Sequence, residues 1–174
     1  GAVCVDGTEV IGESVILATG HSARDIYRLL DKRGVLLEQK AFAVGMRIEH
    51  PQPLIDSIQY SYERGTERPG MLPAARYRLA TKIEGRGVHS FCMCPGGTVV
   101  AASSEENCVV TNGMSQYSRA ERNANSAIVV GIDPERDYPG DALAGIRLQR
   151  ELESGAYVLG GENYDAPAQK IGDF

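Results

Sequence analysis

The most regular pattern of hydrophobic and polar positions in this chain lies at residues 42–49. Large apolar side chains occupy every second position there, and Arg47 and Glu49 stand between them. Strict alternation is typical of a half-buried strand, which would place these two charged residues on the opposite face. His50 and Pro51 follow, and we expect the strand to end there because proline has no backbone N–H to donate to a sheet.

Other stretches predict a chain rich in short strands with a few helices between them. Asp6-Gly7 predicts a tight hairpin near the start. Apolar runs predict further strands, and apolar residues three and four positions apart predict helices. The expected strands are at residues 15–18, 77–82, 89–94, 98–102, 107–111 and 126–132, and the expected helices at 23–33 and 142–153. Short connections between successive strands require antiparallel pairing, so the predicted fold class is α+β with a largely antiparallel or mixed sheet.

The apolar run at residues 15–18 leads into a corner of small residues, Ala18-Thr19-Gly20, and then into the first predicted helix. Four apolar residues in succession are too few for a helix and indicate a strand buried on both faces. Glycine permits a turn or a close backbone approach where a side chain would block it. Because α/β folds place ligands where a buried strand ends above a helix start, this corner is a candidate binding site.

Composition and charge argue against several function classes. The chain has 174 residues, enough for one domain or a domain plus a fragment of another, and its net charge is −5. An acidic chain lacks the basic face that a nucleic-acid partner requires, and no apolar run approaches the roughly 20 residues of a membrane span. The four cysteines are sparse, as in reduced cytoplasmic proteins. The chain opens in a strand-like run without an initiator methionine, so we expect a segment of a longer protein.

Residues 89–94 contain one histidine and two thiols, His89, Cys92 and Cys94, and Cys108 follows them. These four residues could complete the tetrahedral ligand set of a structural zinc site. Cys92 and Cys94, however, are two positions apart and are therefore expected on the same face of a predicted strand. Buried thiols are common core residues. Core thiols are therefore the favoured interpretation, with a zinc module and a redox-active pair as alternatives.

Three further features have both a structural and a chemical interpretation. Gly96 and Gly97 after Pro95 permit either a tight hairpin or a close ligand approach, and the hairpin is favoured. Glu49 and His50 could form an acid–base pair, because histidine titrates near neutrality. A polar segment could line a site or simply face water. Its hydrogen-bonding residues are Asn112, Ser115, Arg119, Asn123 and Asn125.

Several blocks of the sequence, in their order along the chain, resemble a family of bacterial FAD-dependent dehydrogenases. The blocks lie at residues 16–25, 42–51, 90–97, 111–115, 123–127 and 166–174, and they include Ala18-Thr19-Gly20, Met46-Arg47-Ile48-Glu49-His50-Pro51, Cys92-Met93-Cys94-Pro95-Gly96-Gly97 and Thr111-Asn112-Gly113-Met114-Ser115. They span nearly the whole chain. The resemblance implies a flavin-dependent oxidoreductase of undefined substrate, with FAD in the parent protein and NAD(P)H as a candidate co-substrate.

The resemblance also implies roles for particular segments. Residues 1–24 would be an edge of the FAD-binding domain, where the backbone of Ala18, Thr19 and Gly20 comes near the cofactor. Residues 25–174 would be an inserted substrate or cap domain that covers the flavin ring. The candidate catalytic residues on that domain are Arg47, His50, Cys92, Cys94 and Asn112.

One motif expected of such proteins is absent from the chain. A G-x-G-x-x-G turn at a helix N-terminus holds the pyrophosphate of the dinucleotide, and this chain does not contain it. We therefore expect the chain alone to bind FAD weakly or not at all, and to act with the remainder of the parent chain and a small-molecule substrate. The alternatives are a zinc-binding module and a non-catalytic interaction domain.

Overall fold

The computed structural model describes residues 1–173, and the chain divides into two compact units, Gly1–Leu37 and Glu38–Phe174. Phe174, the last residue of the block at 166–174, lies outside the described residues. The assignment of residues 1–24 to an FAD-binding domain and of residues 25–174 to an inserted domain concerns the parent protein, and it stays a prediction.

The first unit contains a hairpin and a helix. Strands β1 (Ala2–Val3) and β2 (Glu9–Val10) pair antiparallel, and the turn between them holds Gly7 at a φ of 83°. The predicted hairpin is therefore confirmed. Helix α1 (Arg24–Lys32) confirms the first predicted helix. It is followed by Gly34, whose φ of 71° is a conformation that glycine adopts easily just past a helix.

The strand predicted at residues 15–18 is wrong, because these residues have no regular secondary structure and are exposed. Val15 is 64% exposed and Ile16 is 91% exposed. A strand needs a hydrogen-bonding neighbour, and the sheet described in Gly1–Leu37 is limited to the short β1–β2 pair. The apolar run therefore has strand-like residues but no sheet to join within this unit.

The second unit consists of strands with helices between them. Their bounds are β3 (Phe42–Pro51), α2 (Gln52–Tyr60), β4 (Ala80–Ile83), β5 (Arg86–Cys94), β6 (Gly97–Ala101), β7 (Thr111–Ser115), β8 (Asn123–Ile132), α3 (Pro134–Asp137), α4 (Ala144–Leu159) and a short 3-10 helix (Ile171–Asp173). Antiparallel pairing gives one sheet with the order β3-β8-β5-β4 and a smaller sheet of β6 and β7. The predicted α+β class is confirmed. Among residues 1–173, no helix is long and apolar enough to cross a membrane.

The larger sheet has a hydrophobic face and a face that carries polar residues. Strands β3 and β8 pair from Phe42 opposite Ile132 to Pro51 opposite Asn123. The hydrophobic face bears one core cluster near each end, formed by Ile132, Tyr138 and Ala144 and by Ile55, Ala75 and Ala124. Since alternate residues point to opposite faces, Arg47 lies on the other face.

The smaller sheet corrects two predictions. The strand predicted at 107–111 is displaced to β7, whose Ser115 lies opposite Gly97 of β6. The hairpin predicted at residues 95–97 is wrong as well, because β5 pairs with β4 and β8 whereas β6 pairs with β7. The turn thus passes the chain from one sheet to the other. Gly96 has a φ of 47°, and a Cβ there would collide with the carbonyl of Arg119, so glycine serves a close backbone approach.

Candidate functional site

The side chain of Arg47 lies where β3, β8, β5 and β7 come together. Its Nη1 donates to Asn125 Oδ1 at 2.5 Å and to the Cys92 carbonyl at 3.3 Å, and its Nη2 donates to Asn112 Oδ1 at 3.4 Å. Cys94 Sγ donates to the same Cys92 carbonyl at 3.4 Å. These five residues are named the Arg47 cluster. The fold thus brings together Arg47, Cys92, Cys94 and Asn112, which the family resemblance had nominated from distant parts of the chain.

A bulge in β5 gives the two cysteines of the cluster different surroundings. Phe91 lies opposite Ala127 and Cys94 lies opposite Asn125, so β5 has one residue more than β8 between these pairs. Cys92 lies in the bulge at a φ of 48° and is exposed, whereas Cys94 is buried. The predicted alternation of both thiols on one face is therefore wrong, because the extra residue turns Cys92 away.

Gly113 closes the cluster from the side of β7. A Cβ at this position would collide with Asn125 Oδ1 and Arg47 Nη1, and it would lie 2.9 Å from Cys94 Sγ. The backbone of β7 therefore packs directly against the guanidinium group, an approach that a side chain would prevent.

Two nitrogen donors of the cluster are buried and have no hydrogen-bond partner among the described residues. They are Arg47 Nε and Asn125 Nδ2, and Asn125 is 0% exposed. An unsatisfied buried donor costs about 1–3 kcal/mol, so native proteins keep few of them and each one calls for an explanation. The cluster thus contains two donors whose hydrogen-bonding capacity is not used within the described part of the chain.

His50, the remaining nominated residue, lies on the opposite face of β3 from Arg47, because side chains alternate along a strand. Its ring lies 5.5 Å from that of Tyr77. Burial lowers the pKa of His50, and the charge of Glu49 opposes this effect, so the ring is neutral at neutral pH. Glu49 points to the other face, where it accepts a hydrogen bond from Asn123 Nδ2 at 3.0 Å. The predicted Glu49–His50 acid–base pair therefore does not form.

The Cys94 thiol beside Arg47 and the Tyr77 hydroxyl are neutral at neutral pH. Burial raises the pKa of the Cys94 thiol, Cys92 raises it further, and Arg47 partly offsets both effects. Burial also raises the pKa of Tyr77, whereas a hydrogen bond with Ser126 and the charge of Arg47 lower it. The salt bridges found among residues 1–173 do not include Arg47. The cluster therefore carries a positive charge that favours an electron-rich ligand.

The zinc alternative is not favoured by the structure. Within the described part of the chain, no group of three or more histidine, cysteine, aspartate or glutamate side chains is arranged to hold a metal ion. The proposed ligands His89, Cys92, Cys94 and Cys108 do not converge. The bulge separates Cys92 from Cys94, and Cys108 is buried next to Val109, whose N–H donates to the Glu153 carbonyl of α4.

The residues nominated for FAD contact lie in the first unit. Ala18, Thr19 and Gly20 are exposed there. Gly20 has a φ of 83°, and a Cβ built on it would meet no atom within 4 Å. Its positive φ agrees with the turn predicted for this corner, but the role of these three residues in binding FAD stays a prediction.

The sequence pattern did not reveal Tyr77 and Ser126, which lie on the face of the sheet that carries His50, and it treated Asn125 only as one of several polar residues. Ser126 is 0% exposed and donates to the Phe91 carbonyl at 3.3 Å. A signal was available, because Asn125 and Ser126 are polar residues at the start of an apolar, β-branched run. Polar side chains in a buried strand must find hydrogen-bond partners, which marks them as members of a network.

A comparison with protein families identifies the type of domain. The family model for the C-terminal domain of FAD-dependent proteins, described as "FAD-dependent protein, C-terminal domain-like", matches residues 41–174. The chain belongs to this family. The match covers the whole Arg47 cluster and begins just after the boundary between the two compact units. The match thereby confirms that the sequence blocks belong to an FAD-dependent protein. It does not identify a particular dehydrogenase.

A bacterial relative of this FAD-dependent protein C-terminal domain extends well beyond it. An uncharacterised protein of Clostridium beijerinckii is 50% identical over 176 residues, which cover 99% of this chain and 32% of the relative. The chain thus spans about a third of the length of the curated relative that it matches. The similarity includes the first unit, which the family model leaves unmatched.

Proposed function

We propose that this chain is the substrate-facing domain of a flavin-dependent oxidoreductase of the dehydrogenase type, and that the Arg47 cluster binds an acceptor oxygen at the reaction site. The observation that carries the proposal is the pair of buried, unpartnered donors, Arg47 Nε and Asn125 Nδ2. Their positive surroundings suit a carboxylate or a carbonyl oxygen on which negative charge develops. The family match supplies the flavin context.

The donors of the cluster fit one part of a flavin site and not another. A guanidinium and an amide can hydrogen-bond to a ring carbonyl of FAD or to a substrate carboxylate next to it. A pyrophosphate requires the N-terminus of a helix behind a glycine-rich turn, which the sequence does not contain. FAD, when bound in the parent protein, supplies the hydride chemistry, while residues of this chain bind, orient and exclude water.

The proposal is tested in the full-length parent protein by the variant Arg47→Met. We expect the flavin of this variant to have a lower midpoint potential than wild type, because a positive charge near the flavin stabilises the reduced, anionic form. We also expect reduction by NADH or NADPH to slow by about tenfold, which corresponds to one lost charge-assisted hydrogen bond. Both nicotinamide cofactors are assayed, since NAD(P)H as the co-substrate is itself a prediction.

A matched control and a second variant make the test specific. Arg78→Met removes the same charge from an exposed position outside the Arg47 cluster, and it should leave the flavin potential and the reduction rate unchanged. Asn125→Ala should slow reduction as Arg47→Met does. If both cluster variants keep the wild-type spectrum, potential and rate, the chain is better described as a non-catalytic interaction domain.

The remaining expectations about the parent protein are also proposals. FAD binding by this chain alone should be weak or absent, and a spectroscopic titration that showed tight, stoichiometric uptake would contradict this. The remainder of the parent chain and a small-molecule substrate are the proposed partners. The sparse cysteines favour a cytoplasmic location with reduced thiols.

A further inference from the structure

A second candidate binding site is a groove on the surface of the second unit, separate from the Arg47 cluster. It has a volume of about 240 Å³ and is bounded by the end of α2, the loop at residues 73–76 and Arg119. Its lining residues are Gln59, Tyr60, Pro73, Ala74, Ala75, Arg76 and Arg119. Two arginines that come from distant parts of the chain thus line one small groove.

The wall that carries Arg76 is held by a buried acidic residue. Asp56 is 2% exposed and accepts hydrogen bonds from the Ala75 N–H at 2.7 Å and from Gln52 Nε2 at 2.7 Å. The Arg68 guanidinium also bonds to Asp56 at 2.6 Å. A loop whose backbone is bonded to a buried carboxylate has little freedom, so the backbone that carries Arg76 is held in a defined position.

The wall that carries Arg119 is held by the turn that follows β5. Arg119 has a φ of 49°, and its carbonyl lies so close to Gly96 that no Cβ would fit there. The Gly96 N–H donates to Gln52 Oε1 at 2.6 Å, and the Glu121 N–H approaches the Gly96 carbonyl at 3.4 Å. Gln52 Nε2 also donates to the Ala75 carbonyl at 3.0 Å, so Gln52 bonds to both walls of the groove, and one buried network holds the backbone next to both arginines.

Arg76 and Arg119 are exposed cations that take part in no ion pair within the described part of the chain. This positive groove occurs on a chain whose net charge is −5. Guanidinium groups bind phosphate oxygens through two parallel hydrogen bonds, and the groove is smaller than the sites of roughly 300–1,000 Å³ that hold drug-sized ligands.

We propose that this groove is a binding site for the phosphate group of a small phosphorylated molecule, with Arg76 and Arg119 as its two ligands. The site is independent of the Arg47 cluster and of the flavin chemistry proposed for it. A phosphate monoester and inorganic phosphate present the same anionic group, and a groove of about 240 Å³ has room for a small phosphate ester as well as for the phosphate group alone.

The proposal is tested by titrating this chain with inorganic phosphate and, separately, with glycerol 3-phosphate at constant ionic strength. Amide signals and arginine Nε–H signals are followed by heteronuclear NMR. We expect saturable shifts at Arg76 and Arg119 with a dissociation constant in the millimolar range, as befits a small, open site. If glycerol 3-phosphate binds more tightly than inorganic phosphate, the natural ligand is a phosphorylated metabolite. If the two bind equally, the groove recognises the phosphate group alone.

Matched substitutions separate a built site from general charge attraction. Arg76→Gln and Arg119→Gln should each weaken phosphate binding by about tenfold, the expected effect of a lost charge-assisted contact. Arg78→Gln, two residues beyond Arg76 and outside the groove, should change it less than about twofold. All three positions are exposed, so the variants should fold as wild type. Shifts that do not saturate, or an equal loss in the Arg78 variant, would overturn the proposal.

Discussion

The hydrogen bond between Arg47 and Asn125 allows a quantitative test of the Arg47 cluster. At 2.5 Å it is much shorter than the 3.3 and 3.4 Å bonds from Arg47 to Cys92 and Asn112. Hydrogen bonds to a charged group contribute about 1.5–3 kcal/mol to stability. The short bond should therefore account for most of what the protein gains from the polar contacts of this arginine.

A double-mutant cycle isolates this contribution. Asn125→Ala removes the short acceptor and should lower the free energy of unfolding by about 1.5–3 kcal/mol. Arg47→Met keeps an unbranched side chain but removes the charge, and it leaves Asn125 without its partner, so we expect a cost of about 1–3 kcal/mol. Because each change already breaks the shared bond, the double variant should be more stable than the sum of the two losses predicts, by about 1.5–2 kcal/mol.

Urea unfolding followed by far-ultraviolet circular dichroism at neutral pH gives the four free energies of the cycle. A second cycle that pairs Arg47→Met with Asn123→Ala is the control, because Asn123 Nδ2 donates to Glu49 instead. Its coupling should stay below about 0.5 kcal/mol. A coupling equally small for Arg47 and Asn125 would refute the reasoning, since the short bond would then contribute nothing specific to the folded state.

Three further predictions concern groups outside that bond. Asp56→Ala should lower the free energy of unfolding by about 1–3 kcal/mol, because it leaves the buried Ala75 N–H without its acceptor; urea unfolding measures the loss. Arg86 holds the pKa of Asp137 well below its usual 3.8. The stability that ionised Asp137 contributes, and that Asp137→Asn removes, should be complete above pH 3.8 and should disappear as the pH falls through the pKa of the folded state. Melting temperatures across the acid range measure this loss. Burial lowers the pKa of His50 from 6.5, so wild type should lose stability as the pH falls below 6.5, and His50→Phe should lose less.

Controls exist for these three predictions. Asp141→Ala removes a carboxylate that is 68% exposed, and it should affect unfolding far less than Asp56→Ala does. Equal effects of the two changes would contradict the role assigned to Asp56. Stability curves of wild type and Asp137→Asn that stay parallel through the acid range would contradict the Asp137 prediction, and an unchanged slope in His50→Phe below pH 6.5 would contradict the His50 prediction.

Local signals in the sequence were sufficient for several elements of the fold. The alternation at residues 42–49 predicted β3 because the period of a strand is written directly into neighbouring residues. Asp6-Gly7 predicted the hairpin, because the turn conformation depends on those residues themselves. The short spacing of the later strands predicted antiparallel pairing and therefore the α+β class. The same spacing could not say which strands pair, so β5 and β6 were wrongly joined in one hairpin.

The candidate site depended on pairings that act over long separations. Asn125 is 78 positions from Arg47 in the sequence and bonds to it because β3 and β8 are in register. The bulge that exposes Cys92 and buries Cys94 arises from the partner strand, and neither cysteine carries a local sign of it. The sequence by itself therefore determined which segments form strands and helices, through period and turn chemistry. The tertiary structure alone decided which side chains meet around Arg47, because strand register and burial are set by residues far apart in the chain.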